Sequence, residues 1–415
     1  MSGAGVLTMN TPIPILPPAY RMYGYASHLR HPVVGRGTSG QLHERPSFPP
    51  ARPVQGAMYG HDWVSVCLSL RARVRGEGMV ESILGRMRHA RAVLMFLSFV
   101  LLLGSVPTEL TTFAANDTRP FFMGVYIPRG AQDPAILGDF EAMTGRQMSL
   151  IAWYQPWSYP GTDSPDPLDT EALQSVTARG ATPLITWEAW GTVNGVDPSH
   201  VANIPTGTFD TYIDSWASGL MAYGRPVYLR LFHEMNFQGY PWAYGTNGNT
   251  APDLVAAWRY VHDRFARIGA TNVQWVWCPN PENDVVPFSA IYPGDAYVDW
   301  FGVDLYNGGT QFDWGGWRSA QQIADQTYRT FQAMNPTKSI MVAEASSVEQ
   351  GGSKAQWITD LFKATPAALP NIRAIVWFHD DWTAKLLGDP RFVNLPRADW
   401  RVNSSLASLQ AFRDV

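Results

Sequence analysis

Apolar runs of strand length recur through the last three quarters of the chain and alternate with segments of helical character. The runs are rich in β-branched and aromatic residues, which is typical of buried strands. There are eight: Phe121–Ile127, Met148–Tyr154, Thr182–Trp187, Val227–Phe232, Val273–Cys278, Val298–Tyr306, Ser339–Ala343 and Ile372–Phe378. Because they are apolar almost throughout, they predict a parallel sheet that is buried on both faces.

Helices are predicted between most of these strands. Asp133 as N-cap and Pro134 at the first helical position open the first helix, and a glycine closes several others. The predicted segments are 134–143, 168–178, 208–223, 251–268, 319–334, 354–364 and 406–415. Eight strands alternating with helices over about 300 residues predict an α/β protein with a single (β/α)₈ TIM barrel over residues 116–415. A doubly wound open sheet is the rival, but Gly124–Pro128 is not the glycine-rich turn that such a sheet carries.

The segment before the barrel has the layout of a secretory signal. Residues 86–91 are basic, and the twelve residues Ala92–Leu103 are apolar, which is short for a membrane span. We interpret residues 79–115 as a signal peptide or membrane anchor, with translation starting at Met79 or Met87. Residues 1–78, rich in Pro, Gly and Arg without periodicity, are then a disordered or dispensable leader. We expect a secreted monomer; the alternative is a membrane-anchored protein with its barrel outside.

Charge and cysteine content exclude several functions. Residues 1–91 hold eleven Arg, no Lys and four acids, whereas the remainder holds twenty basic and thirty-one acidic residues. An acidic body argues against nucleic-acid binding, which needs a basic face, and suits a neutral substrate. Cys278 is the single cysteine of the body, so no intrachain disulfide is predicted there, and we expect it to be a buried packing residue.

Polar and aromatic residues cluster where the predicted strands end, which is where a barrel of this kind places its active site. Glu234 follows the fourth strand and Glu344 the seventh. In an eight-stranded barrel these strands face each other across the mouth. Two carboxyl groups about 5–5.5 Å apart cleave a glycosidic bond with retention, one as acid/base and the other as nucleophile. We therefore predict Glu234 and Glu344 as the catalytic pair of a glycoside hydrolase.

Further residues at these strand ends are candidates for substrate binding. Aromatic faces attract the C–H groups of a sugar, and polar side chains bind its hydroxyls. The candidates from this pattern are Trp187, Glu188, Asn236, Trp242 and Asp304. Glu188 is either a subsite residue or part of an ion pair, and Asp304 is expected to hold Arg230 or a neighbouring loop. A non-catalytic carbohydrate-binding barrel is the second hypothesis.

No metal or cofactor is predicted. His379, Asp380 and Asp381 follow one another at a strand end, so they cannot all face one ion, and a hydrogen-bond network at the rim is the better interpretation. No Gly-x-Ser-x-Gly or Ser-His-Asp pattern is present.

Three motifs resemble glycoside hydrolase family 26, whose best-known members are endo-β-1,4-mannanases. They are R-L-F-H-E-M-N at 230–236 with Y-P-W at 240–242, V-D-W-F-G-V-D-L-Y-N at 298–307, and V-A-E-A at 342–345. The resemblance covers about residues 120–415. It implies Glu234 as acid/base and Glu344 as nucleophile, the same roles as above. It also implies His233 as a substrate-binding neighbour of the acid/base, Tyr306 as the hydroxyl bonded to the nucleophile, and Trp377 as an aromatic platform for the sugar.

The chain departs from the family pattern just after its central motif. The family often reads H-E-M-N-G-x-W-Y-P-W, whereas Phe237-Gln238-Gly239 stand here in place of G-x-W. The resemblance implies hydrolysis of β-1,4-mannosidic bonds, and this departure leaves mixed-linkage β-glucan and β-xylan as alternative substrates. The expected partner is in each case a β-linked polysaccharide or oligosaccharide, with a membrane only if the apolar segment is not cleaved.

Overall fold

Eight parallel strands close into a barrel in a computed structural model that describes residues 120–281, 283–385 and 398–415. Each strand pairs with the next, and the first pairs with the last. The strands are β1 (Phe122–Tyr126), β2 (Leu150–Pro156), β3 (Thr182–Glu188), β4 (Val227–Leu231), β5 (Val273–Trp277), β6 (Trp300–Asn307), β7 (Ile340–Ser347) and β8 (Ile372–Phe378). The predicted (β/α)₈ barrel is confirmed.

Helices follow the strands and form the outer layer. They are α1 (Pro134–Thr144), α2 (Thr170–Ala178), α3 (Asp210–Tyr223), α4 (Ala251–Ile268), α5 (Phe288–Ile291), α6 (Ala320–Met334), α7 (Lys354–Thr359), α8 (Thr365–Ala368), α9 (Trp382–Lys385) and α10 (Leu406–Arg413). Their starts follow local chemistry: Asp133 caps α1, and Thr250 with Asp253 forms a capping box on α4.

Alternate residues of each strand belong to different cores. On β8, Ala374, Val376 and Phe378 pack in the barrel interior, whereas Ile375 and Trp377 pack between the sheet and the helices. Successive side chains of a strand point to opposite faces. The odd or even place of a residue along its strand, which we call strand parity, therefore decides whether the side chain can reach the barrel mouth.

One strand breaks this alternation near its end. β7 extends beyond the predicted Ala343 to Ser347, and its pairing with β6 passes from Val303–Val342 directly to Asp304–Glu344. Ala343 is therefore an extra residue, a β-bulge of the kind that redirects a side chain. Glu344 lies within the strand rather than after it.

The predicted leader and signal segment, residues 1–78 and 79–115, lie outside the described residues. Among the residues that are described, no helix combines the length and apolar character needed to cross a bilayer.

Candidate active site

The turn that ends β4 carries Glu234 in an unusual backbone conformation. Phe232 has φ 46° and Glu234 has φ 50°, both in the left-handed region that non-glycine residues rarely adopt. Such residues cost about 1–3 kcal/mol each and cluster at functional sites. The Glu234 amide donates to the carbonyl of Cys278 at 2.7 Å, which ties the turn to the end of β5.

Glu234 is a buried acid whose pKa is shifted toward neutrality. Its side chain is 1% exposed, and its Oε1 accepts a hydrogen bond from Asn280 Nδ2 at 2.7 Å. Burial and then the negative charge of Glu344 raise the pKa of Glu234 to about 8, against the lowering effects of Asn280 and Arg230. The protonated form therefore dominates at neutral pH, and the two glutamates lie within electrostatic range of each other.

Both oxygens of Glu344 accept hydrogen bonds, as in a carboxylate. Arg230 Nη2 donates to Oε1 in a fully buried ion pair, and the Tyr306 hydroxyl donates to Oε2 at 2.6 Å. The hydrogen bond between Tyr306 and Glu344 that the family resemblance implies is thus present. Two donors from β4 and β6 hold the carboxylate in one orientation.

Arg230 is the cation at the centre of the pocket. Its Nη1 bonds Asp304 Oδ1 at 2.8 Å, and its Nε donates to Thr186 Oγ1 at 3.0 Å. The expectation that Asp304 holds Arg230 is confirmed. Burial raises the pKa of Asp304, and Arg230 opposes that shift. The role of Asp304 is therefore to fix the arginine that in turn fixes Glu344.

Glu188 is a further carboxyl group on the inner face, at the end of β3. It is 1% exposed, and its Oε1 has no hydrogen-bond partner within the described protein. Burial raises the pKa of Glu188 to about 8, against the lowering effects of Trp190 and Arg230. A neutral carboxyl group both donates and accepts hydrogen bonds, which suits a sugar hydroxyl better than an ion pair.

His233 precedes Glu234 and is fully buried. Burial and the charge of Arg230 lower the pKa of His233, so its imidazole is neutral. Neither ring nitrogen has a partner within the described residues, and the ring packs edge-on against Tyr240 at 4.6 Å. Trp242, a predicted substrate contact, lies behind His233, donates to the His233 carbonyl at 2.9 Å and stacks on Tyr240. Trp242 therefore supports the histidine.

Asn236, a predicted substrate contact, is hydrogen-bonded to the loop that follows β5. Its Nδ2 donates to the Asn280 carbonyl at 3.1 Å, and its Oδ1 accepts from the Asn280 amide at 2.8 Å. Both ends of the amide are engaged with the backbone of Asn280, so Asn236 holds the loop after β5. Asn280, which contacts Glu234, was not singled out by sequence; its signal was the polar Cys-Pro-Asn-Pro stretch after the fifth strand.

Two predicted aromatic contacts are wrong. Trp187 packs between β3 and the helices against Trp216 at 4.3 Å, and Trp377 packs on the outer face of β8 against Trp357 at 6.0 Å. Both are fully buried in the outer core. The physical reason is strand parity: each lies next in sequence to an inward residue, Glu188 and Phe378 respectively, and so points outward.

Trp400 is the aromatic residue that sequence reasoning missed. It lies in the segment after β8, within the inner core, and its ring meets that of Tyr306 at 5.3 Å. The available signal was an isolated Asp-Trp-Arg in the last loop, whose place is set by tertiary contacts alone.

The residues His379, Asp380 and Asp381 form the expected hydrogen-bond network. His379 Nδ1 accepts from the Val402 amide at 3.2 Å, and Asp380 Oδ2 accepts from Trp382 Nε1 at 3.1 Å. Burial lowers the pKa of His379 to about 3, which keeps the ring a neutral acceptor. Within residues 120–281, 283–385 and 398–415, no group of three His, Cys, Asp or Glu side chains is arranged to hold a metal. Cys278 is buried, as expected.

Comparison with known proteins bears on this site and fold. The model of Glycosyl hydrolase family 26 matches residues 185–386. Endoglucanase H of Acetivibrio thermocellus is 33% identical over 327 residues, which are 77% of this chain and 33% of that protein. Beta-1,3-xylanase TXYA of a Vibrio species is 32% identical over 112 residues, 26% of this chain and 22% of that protein. The chain thus spans a third or less of the length of these relatives.

A solved structure agrees with the fold. The Cellulomonas fimi endo-beta-1,4-mannanase double mutant superposes with a TM-score of 0.50 at 16% identity, covering 71% of this chain and 70% of that one. A closed (β/α)₈ barrel with buried acids at its mouth and these matches defines a glycoside hydrolase domain. Within that class, residues 185–386 match glycosyl hydrolase family 26.

Proposed function

We propose that the chain hydrolyses a β-linked polysaccharide with retention of configuration, by a two-glutamate double displacement. Glu344 attacks the anomeric carbon while Glu234 protonates the departing oxygen, and Glu234 then takes a proton from the water that releases the sugar. The observation that carries this proposal is the contrast between the two acids. Glu234 has its pKa raised to about 8, whereas both oxygens of Glu344 accept bonds from Arg230 and Tyr306.

Unpartnered polar atoms around the pair support a polyhydroxylated substrate. Within the described residues, several buried polar atoms near the glutamates have no protein partner: Glu188 Oε1, the Tyr126 hydroxyl and both ring nitrogens of His233. A buried polar group without a partner costs about 1–3 kcal/mol, so a ligand that supplies hydroxyl groups gains from pairing with them. A sugar presents such hydroxyls around its rim.

For the backbone of the polysaccharide, we favour β-glucan and keep β-1,4-mannan as the second candidate. A relative that aligns with 77% of the chain is named an endoglucanase. In addition, Gly239 stands where the family pattern has a tryptophan, and the ring of Phe237 lies 2.5 Å from the point where a Gly239 Cβ would be. A side chain there would displace Phe237, so the subsite wall at this position differs from the mannanase pattern.

A panel of β-glycans tests both proposals. Mixed-linkage glucan, carboxymethyl cellulose, mannan, β-1,4-xylan and β-1,3-xylan are incubated with the wild type, Glu234→Ala and Glu344→Ala, and reducing ends are measured. We expect cleavage of glucan by the wild type alone, with the anomeric proton signal of the first product in the β configuration. Failure to cleave any member, full activity of both variants, or an inverted product would refute the mechanism. Cleavage of mannan in preference to glucan would refute the choice of backbone.

We further propose that the protein is exported and works as a monomer outside the cell. The support is the basic and apolar layout of residues 86–103 and the size of a polysaccharide substrate. N-terminal sequencing of protein from the culture medium tests export. A cell-bound protein whose N-terminus lies before residue 92 would favour the membrane-anchored alternative. Light scattering tests the oligomeric state.

A further inference from the structure

Lys354, the first residue of α7, is a lysine with no exposed surface. Its Nζ donates three hydrogen bonds: to the Asp399 carbonyl at 2.9 Å, to the Arg401 carbonyl at 2.8 Å and to Ser404 Oγ at 2.9 Å. An ammonium group has three donors, so all of them are used. Lysine is almost never fully buried unless it is paired, which makes this an expensive arrangement that needs a reason.

Neighbouring residues hold the ammonium group of Lys354 in place. Glu349 accepts from Ser404 Oγ at 2.7 Å and from Ser408 Oγ at 2.8 Å, and thus holds one of the acceptors of Lys354 in place. The ring of Trp377 lies 5.8 Å from Nζ, within the range of a cation–π contact. Trp377, which strand parity keeps out of the pocket, therefore contributes to the surroundings of the Lys354 ammonium group.

The segment that Lys354 binds carries Trp400 between two of its acceptors. The Trp400 amide donates to the Asp380 carbonyl at 2.9 Å. The Trp400 carbonyl accepts from Ser346 Oγ at 2.8 Å and from Trp377 Nε1 at 2.9 Å. Ser346 follows Glu344 by two residues on β7. The backbone of Trp400 is consequently attached to both strands that flank it and, through its neighbours, to Lys354.

The side chain of Trp400 reaches Tyr306, the residue that is hydrogen-bonded to Glu344. Its ring contacts Tyr306 edge-on at 5.3 Å and 73°, and the Tyr306 hydroxyl donates to Glu344. The Trp400 ring also stacks nearly parallel on the ring of Phe312, with the two ring centroids 5.5 Å apart. Trp400 is 1% exposed, and its Nε1 has no partner in the part of the chain that the structure describes. An indole N–H without a protein partner, in a ring that contacts Tyr306, is a donor for a sugar hydroxyl.

We infer that Lys354 is a positioning residue for catalysis: it fixes the segment 398–404 so that Trp400 forms the wall of the sugar site beside Tyr306 and Glu344. This inference depends on the proposed function. The alternative is that Lys354 only stabilises the fold. The positioning role predicts that loss of Lys354 lowers catalysis through Trp400, whereas the purely stabilising role does not.

The chain offers a matched control in Lys338. Lys338 precedes β7, at the end of the barrel away from the mouth, and its side chain is 9% exposed. Its Nζ also donates to a backbone carbonyl, that of Val298, and pairs with Asp295 at 3.3 Å. Lys338→Met therefore removes a largely buried ammonium from another part of the barrel without touching the Trp400 segment.

The experiment compares Lys354→Met, Lys338→Met, Trp400→Leu and the double variant Lys354→Met/Trp400→Leu. Melting temperature, kcat and KM on the cleaved polysaccharide, and hydrogen exchange of residues 398–404 are measured for each. We expect Lys354→Met to lower kcat/KM by about tenfold or more, since small displacements of positioned groups cost up to about a hundredfold. The double variant should lose little more than Trp400→Leu alone, because residues in one network are non-additive. Lys338→Met should lower the melting temperature while kcat/KM stays within about twofold.

Several outcomes would overturn the inference. These are unchanged kcat/KM in Lys354→Met, fully additive losses in the double variant, or an equal loss in Lys338→Met. Exchange in 398–404 should rise in Lys354→Met and not in Lys338→Met, and unchanged exchange in Lys354→Met would also refute the inference. A wild type that cleaves no β-glycan would instead refute the proposed function, and the exchange measurement would still decide whether Lys354 holds the segment.

Discussion

The raised pKa of Glu234 makes a quantitative prediction about the alkaline side of the pH profile. With a pKa of about 8, about 90% of Glu234 is protonated at pH 7. At the ordinary carboxyl value of 4.5, only about 0.3% would be. Burial and the neighbouring Glu344 thus increase the active acid form by about 300-fold at neutral pH. We expect kcat/KM on a polysaccharide to bend near pH 8 and to fall about tenfold per pH unit above it.

Glu234→Ala tests the assignment of that bend. On the polysaccharide the variant should lose about 10²–10⁴ in kcat/KM, the usual contribution of a general acid. On an aryl β-glycoside whose leaving group needs no protonation, the first step should continue, and its rate should show no bend near pH 8. A small anion such as azide should restore turnover by replacing water in the second step, giving a β-glycosyl azide.

Glu188→Gln is the matched control for this assignment. Glu188 is equally buried and its pKa is also about 8, so either acid could in principle cause the bend. Glutamine keeps the shape and the neutrality of the protonated acid. We expect Glu188→Gln to keep the bend and Glu234→Ala to lose it. The reverse result, or a wild-type bend near pH 5, would refute the argument that burial makes Glu234 the acid.

Three further predictions concern single contacts. Tyr306→Phe should lower kcat about ten- to a hundredfold, because a hydrogen bond to a charged group is worth about 1.5–3 kcal/mol. Unchanged kcat would contradict the role of its bond to Glu344. Glu188→Gln should raise the melting temperature more at pH 7.5 than at pH 4.5. The folded-state pKa of Glu188 lies above the unfolded value, so the protonated side chain stabilises the fold below pH 4.5. This stabilisation is lost as the pH rises toward 8, and the loss is about 3 kcal/mol at pH 7. A difference in melting temperature that does not depend on pH would contradict this. Trp377→Phe should cost about 1–3 kcal/mol of stability and leave KM within about twofold, whereas a large rise in KM would put its ring back in the sugar site.

Local pattern was sufficient for the elements and for the first acid. The lengths and apolar content of the runs determine eight strands, because a strand buried on both faces must be apolar at every position. Capping residues such as Asp133 and Thr250 determine where helices begin, because they satisfy donors of the first turn. Glu234 could be identified because it lies just after a predicted apolar strand, where a polar residue stands out in the sequence. These are interactions between residues that are near in sequence.

The orientation of side chains at the mouth depended on contacts between distant segments. Glu344 faces the pocket because an extra residue, Ala343, shifts the pairing of β7 with β6, and the sequence V-A-E-A does not reveal a bulge. Trp187 and Trp377 were misassigned because residue type was weighed above strand parity.

Only the tertiary structure decided which groups surround the two glutamates. Arg230 joins Glu344 across 114 positions, Asn280 reaches Glu234 across 46, and Lys354 binds the Trp400 segment from 45 positions away. The sequence by itself determined an eight-stranded barrel with an acid at β4 and a resemblance to a known family. The pKa values that give the acids different roles arise from burial and long-range charge, which exist only once the barrel has closed.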